Sequence, residues 1–491
     1  MSKEAAKSRA SLVEVRSIDY VPVAERHGKV KHLLPVWFQG NAQLATLAVG
    51  LIGPSLGLNF AWTVLAIVLG TLVGTLFMAF HSAQGPRLGL PQMIQSRPQF
   101  GYYGSLLPVI AAVLLFLGFN VFNTIIGGQT VQAVTHANLK ISIVLIAAVT
   151  LVFTYFGYDV IHKGLRWATY LFIAAYAIFT VGAFATVHLS AAQLSFSGGS
   201  FSWDLFLLQF GVVTSYQLTW APYVSEYSRY LPADTKTSTT FWYTYIGSGL
   251  GGVWPMMLGA LVLAAYPKLG PIEAVKAVAD GILGGFGYIL LAASIPGLIA
   301  VIAMNMYSGG LTTLALVDVI KPVKPTVKAR TLSVGFIAIA ATVLAMLLPE
   351  NFLTGFFNFL LAVLYFMIPW TAVNLIDFFF VRKERYAILE MFKPKGIYKA
   401  WGWNGLVAYF IGFVVMIPFF STTLYTGPVA KALGGGDISP FIGFPVAAVV
   451  YYFLTRKVDV QAEWDLADRE RPLLEKEAER HERIGEPVVG S

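Results

Sequence analysis

The sequence predicts an all-α polytopic membrane protein with twelve transmembrane helices. Three observations lead there. Of its 491 residues 56% are hydrophobic and 12% charged, half the charged share of about 25% usual in soluble domains. The charges are segregated: residues 1–32 and 456–491 hold 28 of the 60 Lys, Arg, Asp and Glu residues. Between those tails, apolar stretches long enough to cross a bilayer, about 20 residues each, recur one after another. A soluble fold could not cover its surface with so few charges. Aqueous enzymes, nucleic-acid binders and disordered chains are poor readings. The formal charge of +8 sits on loops, where membrane topology explains it and no nucleic-acid partner is implied.

The spans read as 34–57, 61–81, 105–130, 141–157, 166–187, 203–224, 241–266, 286–318, 331–348, 354–380, 404–422 and 440–455. In lipid each must be helical, because only a helix satisfies its own backbone. The fourth and twelfth are short, and the eighth is long enough to be tilted or broken. Residues 1–32 carry seven Lys/Arg and no apolar core, so a signal peptide is not expected. With both ends and alternate loops placed in the cytoplasm, 30 of 34 Lys/Arg fall inside. Lys140, Lys268, Lys276 and Lys431 fall outside, as the positive-inside rule asks. The location expected is a cell membrane. The tail 456–491 reads as a short surface helix or a disordered segment without chemistry. Twelve helices indicate a transporter more often than a channel, receptor or intramembrane enzyme.

Two spans are interrupted. The first contains Gly40-Asn41, Gly50 and Gly53-Pro54, the sixth Gly211 and Pro222. Such residues free backbone groups that membrane depth tolerates only around a cavity, and interruptions at corresponding places in two halves point to a midplane site. Spans one and six stand five apart, as an inverted repeat of five plus five helices requires. Close helix packing by small residues is the competing explanation.

Polar side chains inside other spans add to this. Phe119 and Asn123 of the third span lie one turn apart on one face. A ring and an amide suit a flat heterocycle, which needs a face to stack on and a donor and acceptor for its edge. Asn305 lies mid-way along the eighth span, and an amide can donate and accept at once. Such asparagines also hold helices together. Tyr216, Gln217 and Trp220 lie in the interrupted sixth span, where interfacial anchoring is the competing role for the aromatics. Glu226, Asp318 and Asp377 sit where helices meet the cytoplasmic face, beside Arg229, Lys321 and Arg382. Gating or helix-end ion pairs are the roles expected of them. No His or carboxylate cluster has metal spacing, cysteine is absent, and no nucleophile–base pair stands out. Neither an enzyme, a cofactor, a metal nor an obligate protein partner is expected.

Motifs then carry a resemblance. Ile18-Asp19-Tyr20-Val21-Pro22 with Glu25-Arg26-His27-Gly28, WFQGN at 37–41, GPRLGLPQMIQSR at 85–97, FGYYG at 100–104, NTIIGGQ at 123–129, PYVSEYSRYLP at 222–232, NMYSGGL at 305–311, PWTAVNLIDFF at 369–379 and GWNGLVAYFIG at 402–412 resemble the nucleobase:cation symporter-1 family, in its cytosine–purine permease branch. The likeness runs from about residue 18 to 455. It implies a leucine-transporter-like inverted repeat after a cytoplasmic segment 1–32. The repeats are 33–187 and 203–380, with two appended helices in 404–455 and a cytoplasmic tail, 456–491. It implies alternating access around a site between spans 1, 3, 6 and 8.

The substrate implied is cytosine, a purine or a related flat heterocycle. Allantoin, hydantoins and vitamins are the alternatives within transport, and a non-transporting membrane sensor is the alternative outside it. The candidate substrate set is Gly40, Asn41, Phe119, Asn123, Tyr216, Gln217, Trp220 and Asn305; of these the resemblance implies Phe119, Asn123, Asn305 and one span-six aromatic, Tyr216 or Trp220. Many relatives carry Trp where this chain has Phe119. Val301 and Met304 depart from the branch's Asn-rich pattern near Asn305. Sodium-coupled relatives use two carbonyls matching Ala42 and Ala45 with hydroxyls that fall on Ile299 and Ala300 here. Those two offer no side-chain oxygen, so a proton is the coupling ion expected, with Glu226 as gating or proton-carrying candidate.

Overall fold

A computed structural model describes residues 16–156, 158–197, 201–324, 326–348 and 353–484. Residues 1–15 of the expected N-terminal segment and 485–491 of the tail lie outside them. Among the described residues every regular element is helical, apart from one isolated bridge between Ser421 and Thr426. The helices are α1 (Leu33–Asn41), α2 (Leu44–Gly50), α3 (Ile52–Ser55), α4 (Phe60–Ser82), α5 (Gln84–Leu88), α6 (Arg97–Phe100), α7 (Leu106–Thr135), α8 (Leu139–Phe156), α9 (Tyr158–Thr186), α10 (Ala191–Leu194), α11 (Trp203–Leu218), α12 (Val224–Ser228), α13 (Thr237–Ala265), α14 (Pro271–Ile282), α15 (Phe286–Ile320), α16 (Val327–Leu347), α17 (Leu353–Ile376), α18 (Trp403–Met416), α19 (Pro428–Ala432), α20 (Ser439–Thr455) and α21 (Val460–Ile484).

Eight helices among the described residues are long and apolar enough to cross a membrane. The remaining four expected spans are shorter or broken. The first is divided among α1, α2 and α3. The sixth is α11, a 3-10 turn at Ala221–Tyr223 and α12. The first break falls just past Gly40-Asn41, at Ala42 and the fully extended Gln43; a second falls at Gly50, where α2 ends, and Pro222 lies in the turn between α11 and α12, while Gly211 lies inside unbroken α11. The eighth span, expected to be tilted or broken, is the single 35-residue helix α15, which runs through Pro296.

One element was not foreseen, and one of the expected alternatives proved longer and docked. Helix α14 starts on Pro271, whose missing N–H costs nothing at a first helical position. It buries Ile272, Val275, Val278 and Ala279, one face of a helix. The C-terminal tail forms α21, and it is docked rather than solvated. Leu474 is buried in a cluster with Ile18, Tyr20 and Tyr386, and Glu475 accepts from Tyr20 OH at 2.6 Å and from the Val23 amide at 3.0 Å. The tail's few apolar residues hid this, since most of its partners are polar.

The glycines of the spans serve close approach. Helix α13 lies on α1 and α2, and α4 lies on α11. A Cβ at Gly247 of α13 would stand 2.5 Å from the Leu34 carbonyl oxygen, and one at Gly70 of α4 2.7 Å from that of Phe210. Backbone cannot step aside as a flexible side chain can. Gly70→Leu is therefore expected to cost about 1–3 kcal/mol by overpacking, read as a lower thermal midpoint of the purified protein.

One face of the bundle carries residues 16–28, the turn after α5 and α21; we call it the basic face. Ser17, Asp19 and Val21 are wholly buried there. Arg229 donates to the Ser17 carbonyl at 2.8 Å and to Tyr307 OH at 3.2 Å. Asp377 is paired with Arg382, as expected, and Arg382 also reaches Glu463 of α21 at 2.9 Å. Burial pushes the Glu463 carboxyl up, against the pull of Arg382. Asp318 is corrected: its partner is Arg97, at 2.7 Å, and not Lys321. Lys321 is only three residues along the chain, but α15 ends there and turns the lysine outward, while Arg97 is carried in by α6.

Candidate functional site

The breaks of the first and sixth spans meet. Gln43, in the extended link between α1 and α2, caps α2 by accepting from the Ala45 amide at 2.6 Å. Its amide donates to Thr46 Oγ1 at 3.0 Å and to Tyr216 OH at 3.1 Å, and those two oxygens lie 2.5 Å apart. Gln43 and Thr46 thus fasten one broken span to the other. Neither was singled out from sequence. The signal available was a polar pair, three apart, just past Gly40-Asn41.

An aromatic wall continues from Tyr216. Its ring meets Phe119 of α7 at 5.8 Å and Trp220 at 6.3 Å, both edge-on. Trp220 packs against Tyr223 at 5.4 Å and Trp37 at 5.8 Å. A Cβ at Gly40 would touch the Trp220 ring at 3.4 Å, so this glycine sets how near the indole comes. Phe119 is held by Phe356 and Phe359 of α17. Asn123, one turn on, is 2% exposed and forms no side-chain hydrogen bond with any described residue. Its amide keeps open donor and acceptor positions that the edge of a ligand can take.

The other expected residues are more occupied. Asn305 accepts from Tyr223 OH at 3.2 Å and donates to the Val301 carbonyl at 3.1 Å. Each end of the amide keeps one bonding position. Asn41 donates to the Trp37 carbonyl and to Ser248 Oγ at 2.9 Å, and Ser248 donates to Gln217 Oε1, also at 2.9 Å. Ser248 of α13, missed in the sequence, bridges Asn41 and Gln217; Asn41 Oδ1 and Gln217 Nε2 are left without protein partners. The Ala42 carbonyl accepts from Gln39 Nε2 at 3.0 Å. Ile299 and Ala300 line an apolar groove with Phe153, Trp167 and Pro296. Glu226 is fully buried in α12, and no group of three or more potential metal ligands occurs among the described residues. The arrangement suits a flat, polar-edged molecule: aromatic faces from three helices, with amide groups at its rim.

Comparison with known proteins agrees. A model of permeases for cytosine/purines, uracil, thiamine and allantoin matches residues 20–443. The putative purine-cytosine permease YxlA of Bacillus subtilis is 39% identical over 444 residues, covering 90% of this chain and 96% of that protein. The purine-cytosine permease fcyB of Emericella nidulans is 29% identical, covering 90% and 88%. Among solved structures, the nucleobase-cation-symport-1 transporter Mhp1, closed with bromovinylhydantoin bound, superposes with a TM-score of 0.75 at 18% identity, covering 94% of this chain and 99% of Mhp1. That likeness carries the fold. The chain thus belongs to the family of permeases for cytosine and purines, uracil, thiamine and allantoin, as a multi-pass membrane transporter and not an enzyme.

Proposed function

We propose that the chain is a secondary active symporter that imports a nucleobase, cytosine or a purine, by alternating access across the cell membrane. The observation that carries the substrate class is Phe119, packed on Tyr216 of the Tyr216–Trp220 wall, one turn from the amide of Asn123. Twelve spans with both ends cytoplasmic follow from the Lys/Arg distribution, which makes the basic face the inner one. The inverted repeat is supported by reciprocal packing: α4 lies on the broken sixth span as α13 lies on the broken first. Gly40, Asn41, Gln217 and Asn305 complete the rim, with Asn305 also orienting Tyr223.

A proton is the coupling ion we propose. Ile299 and Ala300 bring no hydroxyl, and of the carbonyls Ala42 and Ala45 the first already receives the Gln39 amide. A sodium ion there would exchange its water for too few oxygens. Glu226 is the proton-carrying candidate.

The test is uptake of radiolabelled cytosine, adenine, hypoxanthine, allantoin and hydantoin into cells, then into vesicles with imposed gradients. Accumulation of a nucleobase that collapses with a proton ionophore is expected. Uptake that follows an inward sodium gradient and ignores the ionophore would overturn proton coupling, and uptake of allantoin or hydantoin alone would replace the substrate class. In the same assay Phe119→Ala is expected to weaken apparent affinity by the worth of one base–aromatic stack, about 1–3 kcal/mol, with Phe119→Trp tolerated. Equal affinity in Phe119→Ala would remove the stacking role.

A further inference from the structure

His81 is wholly buried at the end of α4, in the membrane, where an ionisable side chain is a functional candidate. Its ring stacks on Trp370 of α17 with centroids 4.6 Å apart and planes 2° apart. Nδ1 lies 3.2 Å from Gln92 Nε2. That amide nitrogen can only donate, so Nδ1 is an acceptor and the ring is neutral. Nε2–H then donates to Thr371 Oγ1 at 3.3 Å.

From Gln92 a chain of amides runs to Asp377, every member donating in the same direction. Gln92 Nε2 donates to Gln84 Oε1 at 2.7 Å, Gln84 Nε2 to Asn374 Oδ1 at 2.6 Å, Asn374 Nδ2 to Gln99 Oε1 at 3.4 Å, and Gln99 Nε2 to Asp377 Oδ2 at 2.6 Å. Tyr386, Tyr451 and Arg382 also donate to Asp377. Ser225, beside Glu226 on α12, donates to Gln92 Oε1 at 2.6 Å. The chain thus joins α4, α5, the turn after it, α12 and α17 at the basic face.

A proton on Nδ1 would point N–H at N–H. Gln92 could turn its oxygen to the ring only if Gln84, Asn374 and Gln99 turned as well. The last turn would set Gln99 Oε1 against the Asp377 carboxylate, acceptor against acceptor. The closed network therefore opposes a proton on His81 while Asp377 is ionised: the acceptor beside the ring, Gln84 Oε1, is already taken by Gln92.

We propose that His81 is a proton-binding site that controls closure of the basic face: closure expels the proton, and acidification of the compartment on that side holds the face open. Opening parts α17 and α12 from α4 and brings the ring to water, where an imidazole titrates near about pH 6.5. The other charged groups on the elements packed around α4 are Glu226 on α12 and the buried Arg229 that ends it, bonded to Ser17 and Tyr307, Asp204 at the far end of α11, Arg87 on α5, ion-paired with Glu384, and the Asp377–Arg382–Glu463 cluster. The inference rests on alternating access, and it holds whichever ion drives transport.

Because the chain has no cysteine, one introduced thiol reports opening. Ser17→Cys places it where the residue is 0% exposed and Oγ has no partner; Leu424→Cys, at a position 89% exposed, is the control. Linkage to one imidazole predicts that labelling of Ser17→Cys, relative to the control, rises about tenfold from about pH 7.5 to about pH 5.5. In His81→Gln the ratio should stay flat. It should also stay flat in Asp377→Asn, whose amide can donate to Gln99 and lets the chain reverse with His81 protonated. No rise in the parent, or an undiminished rise in folded His81→Gln, overturns the site. An undiminished rise in Asp377→Asn overturns the relay, and that arm retains the histidine should His81→Gln misfold. Parallel uptake assays of the parent separate failure of the transport reading, which would remove uptake and leave the labelling result standing by itself.

Discussion

Replacing Asn123 by alanine is expected to weaken apparent substrate affinity about ten- to a hundredfold while leaving the protein folded. The affinity loss follows from leaving a polar substrate edge unpaired in a buried site, about 1–3 kcal/mol. The intact fold follows from the structure, because Asn123 has no hydrogen-bonding partner among the described residues and its loss breaks no internal bond. Asn305→Ala is expected to differ. It strips the acceptor from the Tyr223 hydroxyl, 3.2 Å away, and so should lower both affinity and thermal midpoint. The measurement is KM for uptake, normalised to surface protein, alongside the melting of each purified variant. An unchanged KM in Asn123→Ala would place the substrate elsewhere.

Arg382→Met is expected to be the most destabilising single change. Arg382 is buried between two carboxylates, Asp377 and Glu463, with the Trp464 indole donating to its carbonyl at 3.0 Å. Its removal strands two acids, which typically costs about 3–5 kcal/mol when a buried pair is broken. The triple change Arg382→Met, Asp377→Asn, Glu463→Gln should recover much of this, because no uncompensated charge remains. The loss should also depend on pH. Burial holds the Glu463 carboxyl above its usual range, and a carboxyl raised in the folded state is stabilised by protonation, so the variant's deficit shrinks as pH falls through that raised value. A thermal midpoint within a degree or two of the parent at neutral pH would show that the cluster contributes little.

Much of the architecture was legible in the chain. Charge segregation and recurrent apolar runs specify a polytopic membrane protein, because lipid leaves a backbone few alternatives to the helix. The one-turn spacing of Phe119 and Asn123 placed a ring and an amide on the same face, a local relation that helix geometry alone guarantees. The long motifs were sufficient for the family. Of the residues read as interruptions, Gly50 and Pro222 lie at breaks and Gly40-Asn41 stands just before one, while Gly211 marks none. Gly211 sits in unbroken helix, and the first break falls at Ala42 and Gln43, where an extended backbone is stabilised by the Gln43 cap.

What only the tertiary structure decided is which distant residues meet. Gln43 and Thr46 find Tyr216, Ser248 joins Asn41 to Gln217, and Arg97 rather than Lys321, three residues along, takes Asp318. The polar tail docks as α21 through Glu463 and Glu475. Each of these bonds is directional and spans many residues of chain, so its partner is set by how helices stack and not by sequence spacing. Sequence by itself determined the solvent the chain folds in, the helices that solvent demands and the family of sites they can build. Packing decided where those helices break and which amides are left free for a ligand, because a buried hydrogen bond goes to whichever partner the stacked backbones bring within reach.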